Sequence, residues 1–232
     1  MQSSRRAITT GQMYEIEENG ESTLGMPRFL MMENAGHGAA DFLVSHFGDK
    51  LARKRVVAVC GTGNNGGDGF VVSRHLAGYC RDITVILLGS IDHIRSKEAR
   101  ANWTILEKMN KSISLMVAGS LLSDVQRKAI SGADIVIDAI FGTGIVDGRP
   151  IGEPFASAID AINASKGYVL AIDVPSGIDP NSGKPNYKCV RAAATVTFHR
   201  LKVGMKKAKR YTGTIHVEWI GIPPEAEAGV LT

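Results

Sequence analysis

The chain has 232 residues, 44% of them hydrophobic and 22% charged; these are ordinary globular proportions and exclude a disordered chain, a collagen and a coiled coil. A chain of this length buries roughly 70% of the surface its unfolded form exposes, so its core needs neither disulfides nor zinc, and no apolar run approaches the roughly 20 residues of a membrane span. Lys and Arg number 27 against 23 Asp and Glu, a net charge of +4 that is local: residues 199–210 carry six basic side chains (Arg200, Lys202, Lys206, Lys207, Lys209, Arg210) and no acid, and the remainder sums to −2.

In chain order, residues 9–19 and 29–47 read as helices too apolar to form a free tail, after a flexible lead-in over residues 1–8. Residues 55–61 (RVVAVCG) are a short β-branched run closed by glycine, the pattern of a fully buried strand. A helix is expected over 69–79, a second buried strand over 83–89, and a charged helix over 93–110 whose apolar side holds Ile94, Trp103, Ile105, Leu106 and Met109. A weaker strand follows over 113–117, then a helix over 120–130 with Ser120 as its cap, and a strand over 134–141. Residues 154–165 form a helix with proline near its first position, residues 168–174 a strand, and residues 193–198 and 214–220 two last strands with no clear helix between them. Strands alternating with helices imply right-handed βαβ units, hence an α/β domain with a mostly parallel, doubly wound sheet covered on both faces and extra helices at the N-terminus. No linker or repeat divides the chain, so one domain spans 1–232.

Ligands of such sheets bind beyond the carboxyl ends of the strands, and three segments there are unusual. The first, residues 61–69 (GTGNNGGDG), fits G-x-G-x-x-G, which lets a backbone approach phosphate at a helix N-terminus. The next strand ends Leu87-Leu88-Gly89 without the acid that holds a ribose in dinucleotide folds, which argues against an ordinary NAD-dependent oxidoreductase. Asn64, Asn65 and Asp68 exceed what a tight turn needs, although Asp68 could serve as a helix cap. The second segment, residues 138–148, opens with Asp138 inside an apolar strand, a charge that is costly unless paired with a base or a cation. The third, residues 173–179 (DVPSGID), puts Asp173 at a strand tip, a placement that suits catalysis and loop capping alike. If the first, fourth and fifth strands are neighbours, Asp68, Asp138 and Asp173 converge, and clustered carboxylates call for a cation or a shared proton. Oxygen donors from Asn65, Asp138 and Ser176 suit a hard cation and do not suit zinc.

Other features are blander. His37, His75, His93 and His216 read as packing or surface residues, and Met31 and Met32 beside Phe29 and Leu30 as core. The basic segment reads as a solvated face, with Lys202 or a neighbour on substrate phosphate as a second reading. Aromatics near it are limited to Phe198 and Tyr211, which gives little reason to expect a nucleic-acid partner. Cys60, Cys80 and Cys189 are far apart, and the N-terminus lacks an apolar signal region; the cytoplasm is the default, with a short transit peptide compatible.

The segments MENAG (32–36), VCGTGNNGGDG (59–69), DAIFGTG (138–144), DVPSGID (173–179) and GTIHVEWIGIP (213–223) together resemble the NAD(P)HX epimerase family, also called the YjeF N-terminal domain family, over residues 9–224. The resemblance implies a Rossmann-like three-layer αβα sandwich and an isomerase that interconverts the R and S forms at C6 of hydrated NADH and NADPH (NADHX and NADPHX). It also implies substrate contacts from Asn64, Asn65, Gly66, Gly67 and Asp68, from Gly142, Thr143, Gly144, Ile145, Val146, Asp147 and Gly148, and from Asp173. One potassium ion per subunit on Asn65, Asp138 and Ser176 follows from the same resemblance, as do a homodimer and a separate NAD(P)HX dehydratase acting downstream, since no fused dehydratase domain is expected after Thr232. The family often carries an acid in its first helix, a place open to Glu15, Glu17 or Glu18; its basic segment is less dense than this one. C6 is a carbinolamine, so inversion can go through an iminium or a ring-opened aldehyde, and Asp173 is the candidate acid/base. The alternative is a non-catalytic module, since relatives are known as an apolipoprotein A-I-binding protein and as RNA-decay scaffolds.

Overall fold

The computed structural model describes residues 6–144 and 150–231. Seven strands, β1 (Arg55–Cys60), β2 (Asp82–Leu88), β3 (Ile113–Ala118), β4 (Ile135–Ala139), β5 (Tyr168–Ile172), β6 (Ala194–Phe198) and β7 (Thr214–Glu218), form one sheet in the order β3-β2-β1-β4-β5-β6-β7. Every pairing is parallel, where the sequence suggested mostly parallel. The order reverses between β1 and β4, which opens a crevice at their carboxyl ends. As expected, β1, β4 and β5 are neighbours.

Strand alternation divides the core into two layers. Val56, Ala58 and Cys60 face a cluster built with α1 (Thr10–Ser22), α2 (Arg28–Phe47), α3 (Asn64–Leu76) and α4 (Lys97–Lys108). Val57 and Val59 face the opposite cluster, which contains Ile130 of α5 (Asp124–Ser131) and Ile159 and Ile162 of α6 (Phe155–Ala164). Among the described residues no helix is long and apolar enough to cross a membrane.

Several local expectations change. Ile8, placed in the flexible lead-in, is fully buried and bridges Lys202; residues 1–5 lie outside the described residues. The first helix is closed by Thr9 and Gln12, which cap each other reciprocally. The helix over 93–110 begins only at Lys97, because Ser96 caps it after a separate 3-10 turn, Ile91–His93. Ser123, and not Ser120, caps α5. A 3-10 turn (Val203–Lys206) and a short helix, α7 (Lys209–Thr212), connect the last two strands. Met31 and Met32 are buried, whereas Phe29 and Leu30 are 41% and 46% exposed.

The largest difference is α3, which starts at Asn64 instead of residue 69, so Asn64 to Asp68 lie on its first turns and not in a loop. Gly63 is the cap residue, which excludes that role for Asp68. Three glycines let the helix press down here. A Cβ on Gly66 would lie 1.9 Å from the Gly61 carbonyl oxygen, and one on Gly61 would lie 2.2 Å from that of Ile140. A Cβ on Gly69 would lie 2.5 Å from Ala139 Cβ and 2.7 Å from Cys60 Sγ. Helix propensity alone favours Gly69→Ala by about 1 kcal/mol. Overpacking against the sheet opposes it by about 1–3 kcal/mol. The net effect expected in urea denaturation is a loss of stability; a gain would refute the close approach.

Candidate active site

The crevice between the strand tips and the N-terminal helices is a cavity of about 620 Å³, a volume typical of small-molecule sites. Of the residues singled out in the sequence, Asn64, Asn65, Asp68, Gly142, Thr143, Gly144 and Asp173 line it. Gly66 and Gly67 do not; they are buried, and a Cβ on Gly67 would meet Met32 and Ala99. Asp138 and Ser176 also lie behind the wall, both fully buried. Ile145, Val146, Asp147 and Gly148 lie outside the described residues.

Asp173 follows β5 directly, with φ of 64°, a left-handed conformation that a non-glycine residue adopts at a cost of roughly 1 kcal/mol. Its backbone N–H donates to Val196 (2.8 Å), which pins the residue to β6. Its Oδ1 accepts from Lys202 Nζ (2.5 Å), from Thr197 Oγ1 (3.1 Å) and, at longer range, from the Phe198 N–H (3.4 Å). Its other oxygen, Oδ2, turns toward Gly142 and comes within 3.3 Å of where a Cβ of that glycine would sit. Asp173 is therefore saturated on one oxygen and presents the second to the cavity.

Lys202 departs from the reading of the basic segment as a solvated face. It is 1% exposed, and its three donors go to Asp173, Thr197 Oγ1 (3.0 Å) and the Phe198 carbonyl (2.9 Å). Arg200 is likewise committed, to both carboxylate oxygens of Glu227. Lys206, Lys207, Lys209 and Arg210 are exposed as expected.

Two further carboxyls share the cavity. Asp68 is held well above the usual carboxylate range, chiefly by burial, with Asp173 and Glu17 adding repulsion that Lys202 partly offsets. Glu17 of α1 is pushed up to about 7, again by burial first; Lys202 and Arg28 pull it down and Asp173 pushes it up. Of the three glutamates open for the acidic position in the first helix, Glu17 is the one that reaches the site; Glu15 and Glu18 are exposed, and Glu18 binds Arg28. The apolar walls come from residues that periodicity assigned only to core or left unremarked, including Met13, Met31, Phe141, Phe155 and Phe198. Tyr14 hydroxyl and Thr143 hydroxyl lie 3.0 Å apart, so α1 closes over the glycine segment after β4.

Behind the cavity, Asp138 has no Lys or Arg partner among the described residues. It accepts from Ser176 Oγ (2.6 Å) and from the Ser176 N–H (2.8 Å), and burial raises its carboxyl to about 6. Ser176 Oγ also accepts from the Phe141 N–H (2.9 Å). Asn65 is 8% exposed, and neither polar atom of its amide has a hydrogen-bond partner among the described residues; a Cβ on Gly142 would lie 3.1 Å from its Oδ1. A buried amide without partners is a costly arrangement that a ligand or cation relieves.

Comparison with known proteins agrees with this architecture. The chain is 50% identical to an NAD(P)H-hydrate epimerase of Cenarchaeum symbiosum, over 97% of this chain and 99% of that one. It is 42% identical to a bifunctional NAD(P)H-hydrate repair enzyme, Nnr, of Pyrobaculum aerophilum, over 95% of this chain and 43% of that longer protein. In three dimensions it superposes on the crystal structure of yeast ynu0 with a TM-score of 0.78, covering 92% of this chain and 88% of that one; at 20% identity the likeness is one of fold alone. Residues 29–204 match the family described as YjeF-related protein N-terminus, and the chain belongs to that family.

Proposed function

We propose that the chain is an NAD(P)H-hydrate epimerase, interconverting the R and S forms at C6 of hydrated NADH and NADPH. The observation that carries this reading is the near full-length match to the C. symbiosum epimerase. The site supplies chemistry to suit. C6 of the substrate bears a hydroxyl and the ring nitrogen. On the dehydration route an acid protonates the departing hydroxyl, water leaves, and the nitrogen lone pair closes an iminium. Water then adds to the other face while a base takes its proton, and the lone pair returns to nitrogen. Ring opening and reclosure also need one group that takes a proton and one that gives it.

Asp173 is the base in this account, because its Oδ2 faces the cavity while Lys202 holds Oδ1. Asp68 and Glu17 are the acids, because burial beside Asp173 keeps them protonated to higher pH. Carboxyls that burial keeps protonated serve as general acids. The N-terminus of α3, with Gly63 as its cap and Asn64 exposed, suits the pyrophosphate. The S form is then the substrate of a dehydratase.

A potassium ion fits Asn65 of the cavity wall together with Asp138 and Ser176 behind it. Among the described residues Asn65 Oδ1 is buried without a partner and Asp138 is a buried carboxylate without a basic partner, and Ser176 adds a hydroxyl oxygen. These are hard oxygen donors. When bound, the ion would supply positive charge that offsets Asp138 and the substrate phosphates, held between α3, β4 and the segment after β5.

Two measurements test these assignments. A mixture of R and S NADHX is given to an S-specific dehydratase, and the return of NADH absorbance is followed. Complete recovery is expected only when this protein is added; recovery of the S fraction alone would favour a non-catalytic binding module. For the cation, replacing choline chloride by KCl at equal ionic strength should raise the melting temperature by about 2–4 °C, corresponding to about 1 kcal/mol of linkage. Asp138→Asn should abolish that response, and an equal shift in both proteins would remove potassium from this site.

A further inference from the structure

The cavity wall on the β2 side contains Thr62, Arg95 and Glu98. Three cationic side chains line the cavity among the described residues, and two of them are committed. Arg28 pairs with Glu17, Glu18 and Glu21, and Lys202 with Asp173. Arg95 has no carboxylate partner among the described residues, and it is exposed. Its backbone, however, is fixed: the Arg95 N–H donates to the Thr62 carbonyl (2.9 Å), in the turn between β1 and α3. The backbone of Arg95 is thus anchored at the rim, beside the α3 N-terminus, and its exposed side chain lines the cavity there.

The tip of β2 has a matching feature. In doubly wound dinucleotide sites an acid near this tip takes the ribose 2′-hydroxyl, whereas an arginine near it takes a 2′-phosphate. Here β2 ends at Leu88 and is followed by Gly89 at φ of 114° and Ser90, whose hydroxyl accepts from the Asp92 N–H. Leu88, Gly89 and Ser90 bring no acid to the tip, and Asp92 beyond them is not among the residues that line the cavity. Glu98, in the first turn of α4, is the nearest competing device on this wall, but its side chain is only 7% exposed, so the group that protrudes is Arg95.

We infer that Arg95 reads the 2′-phosphate of the adenosine half and makes NADPHX the preferred substrate. This rests on the epimerase reading, which puts the hydrated ring at Asp173 and so directs the adenosine half across β1 toward β2. A guanidinium matches phosphate with two parallel N–H···O bonds, and neither the 2′-hydroxyl of NADHX nor a lysine at this position reproduces that geometry.

The test has a kinetic arm and a binding arm. Wild-type kcat/KM is measured for NADPHX and NADHX, and the ratio is expected to favour NADPHX. Arg95→Ala is expected to lower that ratio about 10- to 100-fold, the range of a lost charge-assisted contact. A proportional loss on both substrates, or a wild-type preference for NADHX, overturns the proposal. If Glu98→Gln instead raises the NADPHX/NADHX ratio while Arg95→Ala leaves it unmoved, discrimination belongs to Glu98. In the binding arm, calorimetry compares adenosine 2′,5′-bisphosphate with 5′-AMP. Arg95→Ala is expected to weaken the bisphosphate selectively by a similar factor, and equal weakening of both overturns the assignment. Absence of epimerisation on either substrate counts against the activity and not against Arg95, because the binding arm reads the 2′-phosphate subsite without turnover.

Discussion

The ion pair between Lys202 and Asp173 is the constraint on which the site depends. An ammonium that is 1% exposed must satisfy three donors within the protein, and it does so on Asp173, Thr197 and Phe198, at the tips of β5 and β6. That requirement helps hold Asp173 in its left-handed conformation with one oxygen occupied and one free. The same lysine bridges Ile8 through its backbone, Ile8 donates to Leu201, and Val203 donates to Ile8. The chain entering α1 is therefore anchored to the segment that carries Lys202. Asn181 fastens it again by accepting from the Thr10 N–H (2.9 Å). In this way a buried charge near the fifth and sixth strands fixes where Glu17 stands. Removing one partner of such a pair costs about 3–5 kcal/mol because the other is left uncompensated.

A second layer of pairing supports the first. His199, also at positive φ (62°), is buried beneath Trp219, and its Nε2 lies 2.9 Å from Glu227. Burial lowers the imidazole to about 4 despite that carboxylate. Arg200 clamps the same glutamate through two nitrogens. The acid-free basic segment thus separates into an inner part that builds the site and an outer part, Lys206 to Arg210, whose exposed charges can attract an anionic dinucleotide from solution. The local charge excess in the sequence reflects both jobs.

The strands were legible because their apolar runs are short, β-branched and closed by glycine, as in residues 55–61 and 83–89. Convergence of the segments after β1, β4 and β5 followed from the usual strand order. The start of α3 was not legible. Asn-Asn-Gly-Gly-Asp-Gly has poor helix propensity, and it is helical because its glycines allow contacts with Gly61, Ala139 and Cys60 that larger residues would block. Asp138 was recognisable as a charge in an apolar strand, but its hydroxyl partner, Ser176, is 38 residues away. Among three glutamates in α1, only the helix's orientation on the sheet selects Glu17. Lys202 between Leu201 and Val203 carried a faint signal of burial that the surrounding charges obscured.

The central claim is that the free oxygen of Asp173 takes the proton of the oxygen that leaves and returns at C6. The direct measurement is epimerisation of pure R-NADHX by Asp173→Asn, at a temperature where circular dichroism shows both proteins folded. The asparagine retains an acceptor for Lys202, although the lost negative charge should lower the melting temperature. The account predicts a rate loss of about 10²- to 10⁴-fold, the usual contribution of a positioned acid/base. Turnover within a few-fold of wild type would contradict it and leave the buried ion pair with a structural role alone.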